Sequence, residues 1–208
     1  MTLPMFHSLR AFTDEQLMAR ISDKDDERAY DELYRRHARR LMGFFLRQLN
    51  HDEALAADFT QDTFLRVWAN RQSYAPIALA LEGEGSEKER KRAPFSTWLF
   101  NIACNLCKNH FRHLSYEQAY EQEIALSGYG VEDNTFDIQL DRKAFGQALQ
   151  SLLAELPPAP RLLFSLRFEE DLSIPQIAQI IGIPDGTVKS RLHTLTHYLK
   201  QRLITVKP

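Results

Sequence analysis

The first half of the chain contains four stretches in which apolar residues recur at helical spacing. Thr13 and Gln16 form a capping-box pattern, which predicts a short helix ending near Ile21. The long amphipathic helix that follows has an apolar stripe made of Tyr30, Leu33, Tyr34, His37, Leu41, Phe44 and Phe45. A third helix is predicted over residues 52–70. A fourth is predicted over residues 95–113, and its expected buried stripe is Trp98, Leu99, Ile102 and Leu106.

The second half has its clearest pattern in residues 173–203. A helix that starts at Ser173, as its N-cap, or at Pro175 turns Ile177, Ala178 and Ile181 inward, and Gly182 supplies the positive φ that commonly ends a helix. A second helix follows, with a buried stripe of Val188, Leu192, Leu195 and Leu199. Two short helices joined by such a tight turn predict a helix-turn-helix. A preceding helix, ended by prolines, has Phe145, Leu149, Leu152 and Leu156 at helical spacing.

Composition supports a helical fold, since the 208 residues include only eight glycines and few alternating β-branched runs. We therefore predict an all-α protein with two small helical domains joined by a flexible acidic linker. The predicted boundaries are residues 1–113 for the N-terminal domain, 114–138 for the linker and 139–208 for the helix-turn-helix domain. Residues 72–94, rich in Gly, Pro and mixed charges, are predicted to form a long mobile loop in the first domain.

Although the net charge is only −2, basic and acidic residues are concentrated in different segments of the chain. Residues 28–47 hold six arginines against two acids, and residues 187–208 hold five lysines or arginines and no acid. Residues 114–141 hold seven carboxylates and no lysine or arginine. Basic surfaces joined by an acidic connector indicate a protein that binds a polyanion, although ordinary solvated helix faces would give a similar pattern.

The outer face of the second helix-turn-helix helix carries polar side chains that can donate to phosphates and base edges in a major groove. These side chains are Lys189, Ser190, His193, Thr194 and His197. Spacing and basic content together predict DNA binding, whereas a plain helical hairpin with a polar face is the alternative.

Three N-terminal segments and the helix-turn-helix together resemble sigma factors of the extracytoplasmic-function group. The resembling stretches are residues 29–49, 56–74 and 95–113, and residues 186–193 with the sequence GTVKSRLH. The resemblance implies a sigma subunit that directs core RNA polymerase to particular promoters and opens them. The alternative from a different class is an autonomous helix-turn-helix regulator that binds duplex DNA without polymerase.

The resemblance also implies roles for particular residues. Asp58, Gln61, Asp62 and Leu65 would dock on the clamp of the largest polymerase subunit, although a solvated acidic face is the plainer interpretation. The fourth helix would hold the opened −10 element of promoter DNA on Thr97, Asn101, Asn105, Lys108 and Arg112. The −35 element would be read by Lys189, Ser190, His193 and Thr194. An anti-sigma factor is the remaining partner that the resemblance implies.

Other functions have weaker support in the sequence. Cys104, Cys107, His110 and His113 suggest a zinc site, but on one helix they fan over about 180° and cannot converge tetrahedrally, so no metal is predicted. The alternatives are a metal bound by two or three adjacent members of the set, or thiols that respond to oxidation. No nucleophile–base pair or phosphate-binding glycine loop indicates an enzyme or a cofactor. With no targeting signal and no apolar run of about 18 residues, we predict a cytoplasmic protein without membrane insertion.

Overall fold

The computed structural model describes residues 9–74, 94–113 and 142–205, and these contain helices and no strands. The chain divides into two compact units between Leu106 and Cys107. The all-α prediction is confirmed, whereas the predicted linker, residues 114–138, lies outside the described residues. The α-helices are α1 (Asp14–Lys24), α2 (Glu27–Gln48), α3 (Glu53–Ala69), α4 (Phe95–His113), α5 (Arg142–Glu155), α6 (Pro158–Phe164), α7 (Ile174–Ile181) and α8 (Asp185–Thr205).

Aromatic side chains from α2, α3 and α4 fill the core of the N-terminal unit. Its largest fully buried side chains include Phe44, Phe45, Phe64, Phe95 and Phe100. The rings of Phe44 and Phe100 meet edge to face with centroids 5.3 Å apart, a geometry favoured by the ring quadrupoles. Burial of these rings is the main force that packs α4 against α2.

The predicted stripe of α2 is buried except at its two tyrosines. Leu33, His37 and Leu41 are buried as expected, but Tyr34 is 40% exposed and Tyr30 is half-buried. Both rings turn toward α3, and the centroid of Tyr34 lies 4.7 Å from that of Phe64. The tyrosines therefore cover the edge of the core instead of filling it.

Polar contacts fix the start of the N-terminal unit. Thr13 caps α1 in the predicted capping box with Gln16. Arg36 pairs with Asp14 at 2.8 Å and donates to the backbone carbonyls of Leu9 and Phe12. Burial opposes ionisation of Asp14, but hydrogen bonds and charges from His37 and Arg36 outweigh it and hold its pKa below the usual value. The network ties the N-terminal turn to α2.

The first three residues of the segment predicted to form a mobile loop, residues 72–74, lie within the described part of the chain. Gln72 donates to the carbonyl of Ser22 at 2.6 Å. Tyr74 is buried, with its ring centroid 5.0 Å from that of Trp98. Gln72 and Tyr74 therefore attach the start of the segment to α1 and α4, and Tyr74 does so by burying a large ring. Residues 75–93 lie outside the described residues.

In the C-terminal unit, α5 packs on α8 through leucines that face one another. The buried members are Leu152, Leu156, Leu195, Leu199 and Leu203. Arg161 donates to the carbonyls of Ala154 and Leu156, so it caps the C-terminal end of α5 where carbonyls lack helical partners. A single π-helical turn, Ser165–Glu169, continues α6.

The predicted helix-turn-helix consists of α7 and α8. The backbone and side chain of Ser173 both donate to Oε1 of Gln176 at the start of α7. Gly182 ends α7 with φ of 82°, and its N–H donates to the carbonyl of Ala178 at 2.8 Å. The left-handed backbone conformation of Gly182 turns the chain sharply, and α8 starts three residues later at Asp185.

Gly182→Ala is expected to destabilise the C-terminal unit by about 1 kcal/mol, because alanine must adopt a positive φ. An added Cβ would meet no atom within 4 Å, so backbone strain is the whole cost. Gly186→Ala is the matched control, since its position is equally open and has no positive φ. Urea unfolding of both variants measures the difference. Equal stability of the two variants would contradict the assigned role of the turn.

Candidate polymerase and nucleic-acid interfaces

The predicted docking face of α3 is open to solvent. Asp58 and Gln61 are exposed, and Leu65 is 65% exposed, the most exposed of the large apolar side chains among the described residues. Asp62 pairs with Arg66 at 3.2 Å, with both side chains nearly half exposed. An apolar side chain therefore protrudes beside carboxylates on one helix face.

The opposite face of α3 attaches the helix to the core. Thr63 and Val67 are buried, whereas Phe59 and Trp68 are half-buried. The sequence interpretation missed Phe64, which is buried against Tyr30 and Tyr34 of α2. Phe64 adjoins Leu65 in sequence, and the 100° rotation per residue places one ring in the core and the next side chain outside.

The polar arc of α4 is mostly accessible, with one exception. Asn105 and Arg112 are exposed, while Asn101 and Lys108 are partly exposed. Nδ2 of Asn105 donates to Oδ1 of Asn101 at 2.9 Å, so one amide orients the other. This pair leaves amide groups available for base edges, and the described arc carries no carboxylate.

Thr97 was predicted on this arc, and that prediction is wrong. Its side chain is buried, with 1% of the residue exposed. The buried face of α4 is wider than the predicted stripe and includes Phe100, Ala103 and Cys104, so its edge extends to Thr97. In contrast, Trp98 and Ile102 are only half-buried. The buried face of α4 is therefore rotated from the predicted stripe by about 100°, the angle between neighbouring residues of a helix.

The outer face of α8 presents Lys189, Ser190 and His193, all exposed. Thr194 is partly buried, and its hydroxyl donates to the carbonyl of Ser190 at 3.1 Å. A hydroxyl used in this way keeps its acceptor lone pairs and methyl group for a ligand. The buried side of the helix is the predicted one, comprising Val188, Leu192, Leu195 and Leu199.

Cys104 and Cys107 form no disulfide, and both are buried on α4 instead of being the half-exposed pair that a reactive site needs. Over the ranges that the structure describes, no three His, Cys, Asp or Glu side chains are placed to hold a metal ion. The side chain of His113, the last member of the pattern considered for zinc, is outside the described part. No described helix is long and apolar enough to cross a bilayer.

Two family models match parts of the chain. Sigma-70 region 2 matches residues 33–79, which include α3, and sigma-70 region 4 matches residues 146–194, which include α7 and the first half of α8. The chain is 30% identical over 173 residues to the ECF RNA polymerase sigma factor SigL of Mycobacterium tuberculosis, covering 82% of this chain and 86% of that one. The chain belongs to the extracytoplasmic-function sigma factors. The prediction made from the sequence motifs is confirmed.

Further similarity agrees with this family. The ECF RNA polymerase sigma factor RpoE of Cereibacter sphaeroides is 28% identical over 190 residues, covering 90% of this chain and 93% of that one. The fold resembles that of CnrH in complex with the cytosolic domain of CnrY, with TM-score 0.62, 22% identity, and coverage of 93% and 99%. This sigma factor directs RNA polymerase to promoters and initiates transcription through DNA binding.

Proposed function

We propose that this sigma factor divides its task among three helix faces. In this scheme α3 docks on the clamp of the largest polymerase subunit, α4 holds the opened −10 element, and α8 reads the −35 element. Residues 1–113 and 139–208 act as separate DNA-reading domains, and residues 114–138 connect them. The observation that carries the proposal is the exposure of polar or acidic faces on three helices whose opposite faces are buried.

The docking proposal rests on the chemistry of α3. Leu65 exposes most of its surface, so a partner that covers it would gain the free energy of burying an apolar side chain. Asp58 and Asp62 flank it and would select a basic partner surface by electrostatic complementarity. Gln61 adds a donor and an acceptor at the same face. An apolar centre with a charged rim is the usual arrangement of protein interfaces.

The DNA-reading proposal rests on donor chemistry. On α4, Asn101 and Asn105 can pair with base edges, while Lys108 and Arg112 can neutralise phosphates. On α8, Lys189, Ser190, His193 and Thr194 offer donors and acceptors to a major groove. Thr97, which is buried, has no part in this proposal. We propose that the chain adds no catalysis of its own, since the polymerase supplies the chemistry.

An anti-sigma factor is the further partner we propose. The support is the fold shared with CnrH, whose solved structure is a complex with the cytosolic domain of a second protein. Such a partner would cover exposed apolar and DNA-binding faces until it is removed. Cytoplasmic location follows from the same proposal, because core polymerase and promoter DNA are found there.

The free chain is expected to bind promoter DNA weakly and to gain tight, specific binding when core polymerase is added. The seven carboxylates of residues 114–141 repel phosphate, and neither DNA face is positioned without the polymerase. Fluorescence anisotropy on a promoter fragment at physiological salt, with and without core, measures the difference. Tight sequence-specific binding by the free chain would support an autonomous regulator instead.

A further inference from the structure

The first turn of α4 has no cap from its own N-cap residue. The carbonyl of Pro94 accepts from the N–H groups of Thr97 at 2.9 Å and Trp98 at 3.3 Å, which makes Pro94 the N-cap residue. A proline side chain has no oxygen, so it cannot accept from the N–H groups of the first turn as Ser, Thr, Asp or Asn would. Phe95, the first residue of α4, is fully buried, so solvent does not reach its N–H. This N–H therefore needs an acceptor from elsewhere in the fold.

Glu15 of α1 supplies that acceptor. Its Oε1 accepts from the N–H of Phe95 at 3.2 Å, although the two residues are 80 positions apart in the sequence. A carboxylate at the start of a helix is also attracted by the positive end of the helix dipole. Glu15 therefore serves α4 in the way that an N-cap side chain serves its own helix.

The helix that carries Glu15 is fixed in the core of the N-terminal unit. Three apolar side chains of α1 are fully buried, namely Leu17, Met18 and Ile21. The carboxylate of Asp14 lies 2.7 Å from Nε2 of His37, and this contact attaches the start of α1 to α2. The ring of His37 in turn lies against that of Phe95, with centroids 5.3 Å apart. Glu15 therefore reaches the start of α4 from a helix whose own position is set by packing.

The orientation of α4 determines where its polar arc lies. Lys108 is about 20 Å along the helix axis from Phe95, so a tilt of about 3° at the first turn moves it by roughly 1 Å. A displacement of that size is enough to lose a well-aligned hydrogen bond. We propose that Glu15 is a positioning residue for promoter opening, because its hydrogen bond to Phe95 fixes the first turn of α4 and with it the polar arc. This inference rests on the proposed role of α4 and adds a residue of α1 that acts without touching DNA.

Run-off transcription from a duplex promoter and from a template mismatched around the start site tests the proposal. Holoenzyme is assembled from core and the full chain, with the sigma factor in excess so that docking does not limit the rate. Glu15→Ala is expected to lower transcription from the duplex roughly fivefold, the ratio expected for the loss of one capping hydrogen bond. It should regain most of the wild-type rate on the mismatched template. Its affinity for core, measured by titration, should not change, because the docking face of α3 is untouched.

Two further variants isolate the hydrogen bond. Glu15→Gln keeps an acceptor Oε1 at the same reach and loses only the charge, so it should transcribe within about twofold of the wild type on both templates. Glu27→Ala removes an exposed carboxylate from the first turn of α2 and should behave as the wild type does.

A wild-type rate of Glu15→Ala on the duplex overturns the proposal. Equal losses on the two templates, or a loss of core affinity, also overturn it, because they would indicate a general role in the fold of the unit. A Glu15→Gln variant as defective as Glu15→Ala overturns it too, since the hydrogen bond would then not be the cause.

Asn105→Ala in the same assay separates this inference from the proposed role of α4. If Asn105→Ala is rescued by the mismatched template and Glu15→Ala has no defect, only the inference about Glu15 fails. If Glu15→Ala is rescued and Asn105→Ala has no defect, Glu15 positions α4 but Asn105 is not one of the groups that act in opening. If neither variant has a defect, both proposals fail.

Discussion

Reversing the charges of Asp58 and Asp62 together is expected to weaken binding to core RNA polymerase on the order of a hundredfold, about 2.7 kcal/mol. Each substitution to arginine replaces a proposed attraction across the interface with a repulsion, and the two positions share one face of α3. Asp62 also forms a salt bridge with Arg66, but both side chains are nearly half exposed. Losing this salt bridge therefore costs little stability. The fold should therefore persist while docking fails.

The measurement is a titration of core polymerase with labelled chain, accompanied by circular dichroism to confirm unchanged helical content. Asp23→Arg with Glu53→Arg is the matched control, because it makes the same charge change at exposed positions outside the docking face. It should bind core as the wild type does. Undiminished binding by the Asp58 and Asp62 double variant would remove the assignment of this face. Equal weakening by both pairs would show a general charge effect.

The second large effect is a separation of promoter recognition from promoter opening. Lys189→Ala and His193→Ala should reduce transcription from a duplex promoter roughly tenfold or more, because each base contact contributes about 1–3 kcal/mol of discrimination. Asn105→Ala and Lys108→Ala should also reduce transcription from the duplex promoter, but by impairing promoter opening, because these side chains are proposed to hold the strand-separated element. A template already mismatched around the start site removes the need for opening. It should therefore rescue the α4 variants more than the α8 variants.

Run-off transcription on both templates, using a promoter selected by the holoenzyme from genomic DNA, measures this rescue. Lys200→Ala is a suitable control, since it removes an exposed lysine of α8 that lies about two turns beyond His193 and three beyond Lys189 on the C-terminal side. Its transcription should match the wild type on both templates. Equal rescue of the α4 and α8 variants would refute the division of labour and leave the sigma-factor assignment intact.

Local features of the fold were predictable because they depend on neighbouring residues. The capping box of Thr13 and Gln16 needs only positions three apart, and the left-handed turn at Gly182 needs a residue without a Cβ. The buried stripe of α8 follows from helical periodicity within one segment. The domain boundaries and the roles of the site residues remain predictions.

Burial at the edge of a helix face was harder to predict, because periodicity gives only relative angles. Thr97 and Asn101 are one turn apart and look equivalent in sequence, yet the first is buried and the second is partly exposed. Tyr34 fits the apolar stripe of α2 but is 40% exposed. Which arc of a helix is covered depends on where its neighbours pack, and the sequence of one helix does not contain that information.

By itself the sequence determined the helical class, the helix-turn-helix and the sigma-factor family, since each depends on short-range patterns of residues. Only the tertiary structure decided which groups the arginines of α2 contact. Asp14 neutralises Arg36 from 22 positions away, and Arg40 covers Phe100 from 60 positions away. Electrostatic and aromatic contacts act over a few ångströms in space, irrespective of separation along the chain. The composition of α2 therefore gives its total charge, and packing determines which arginines face solvent.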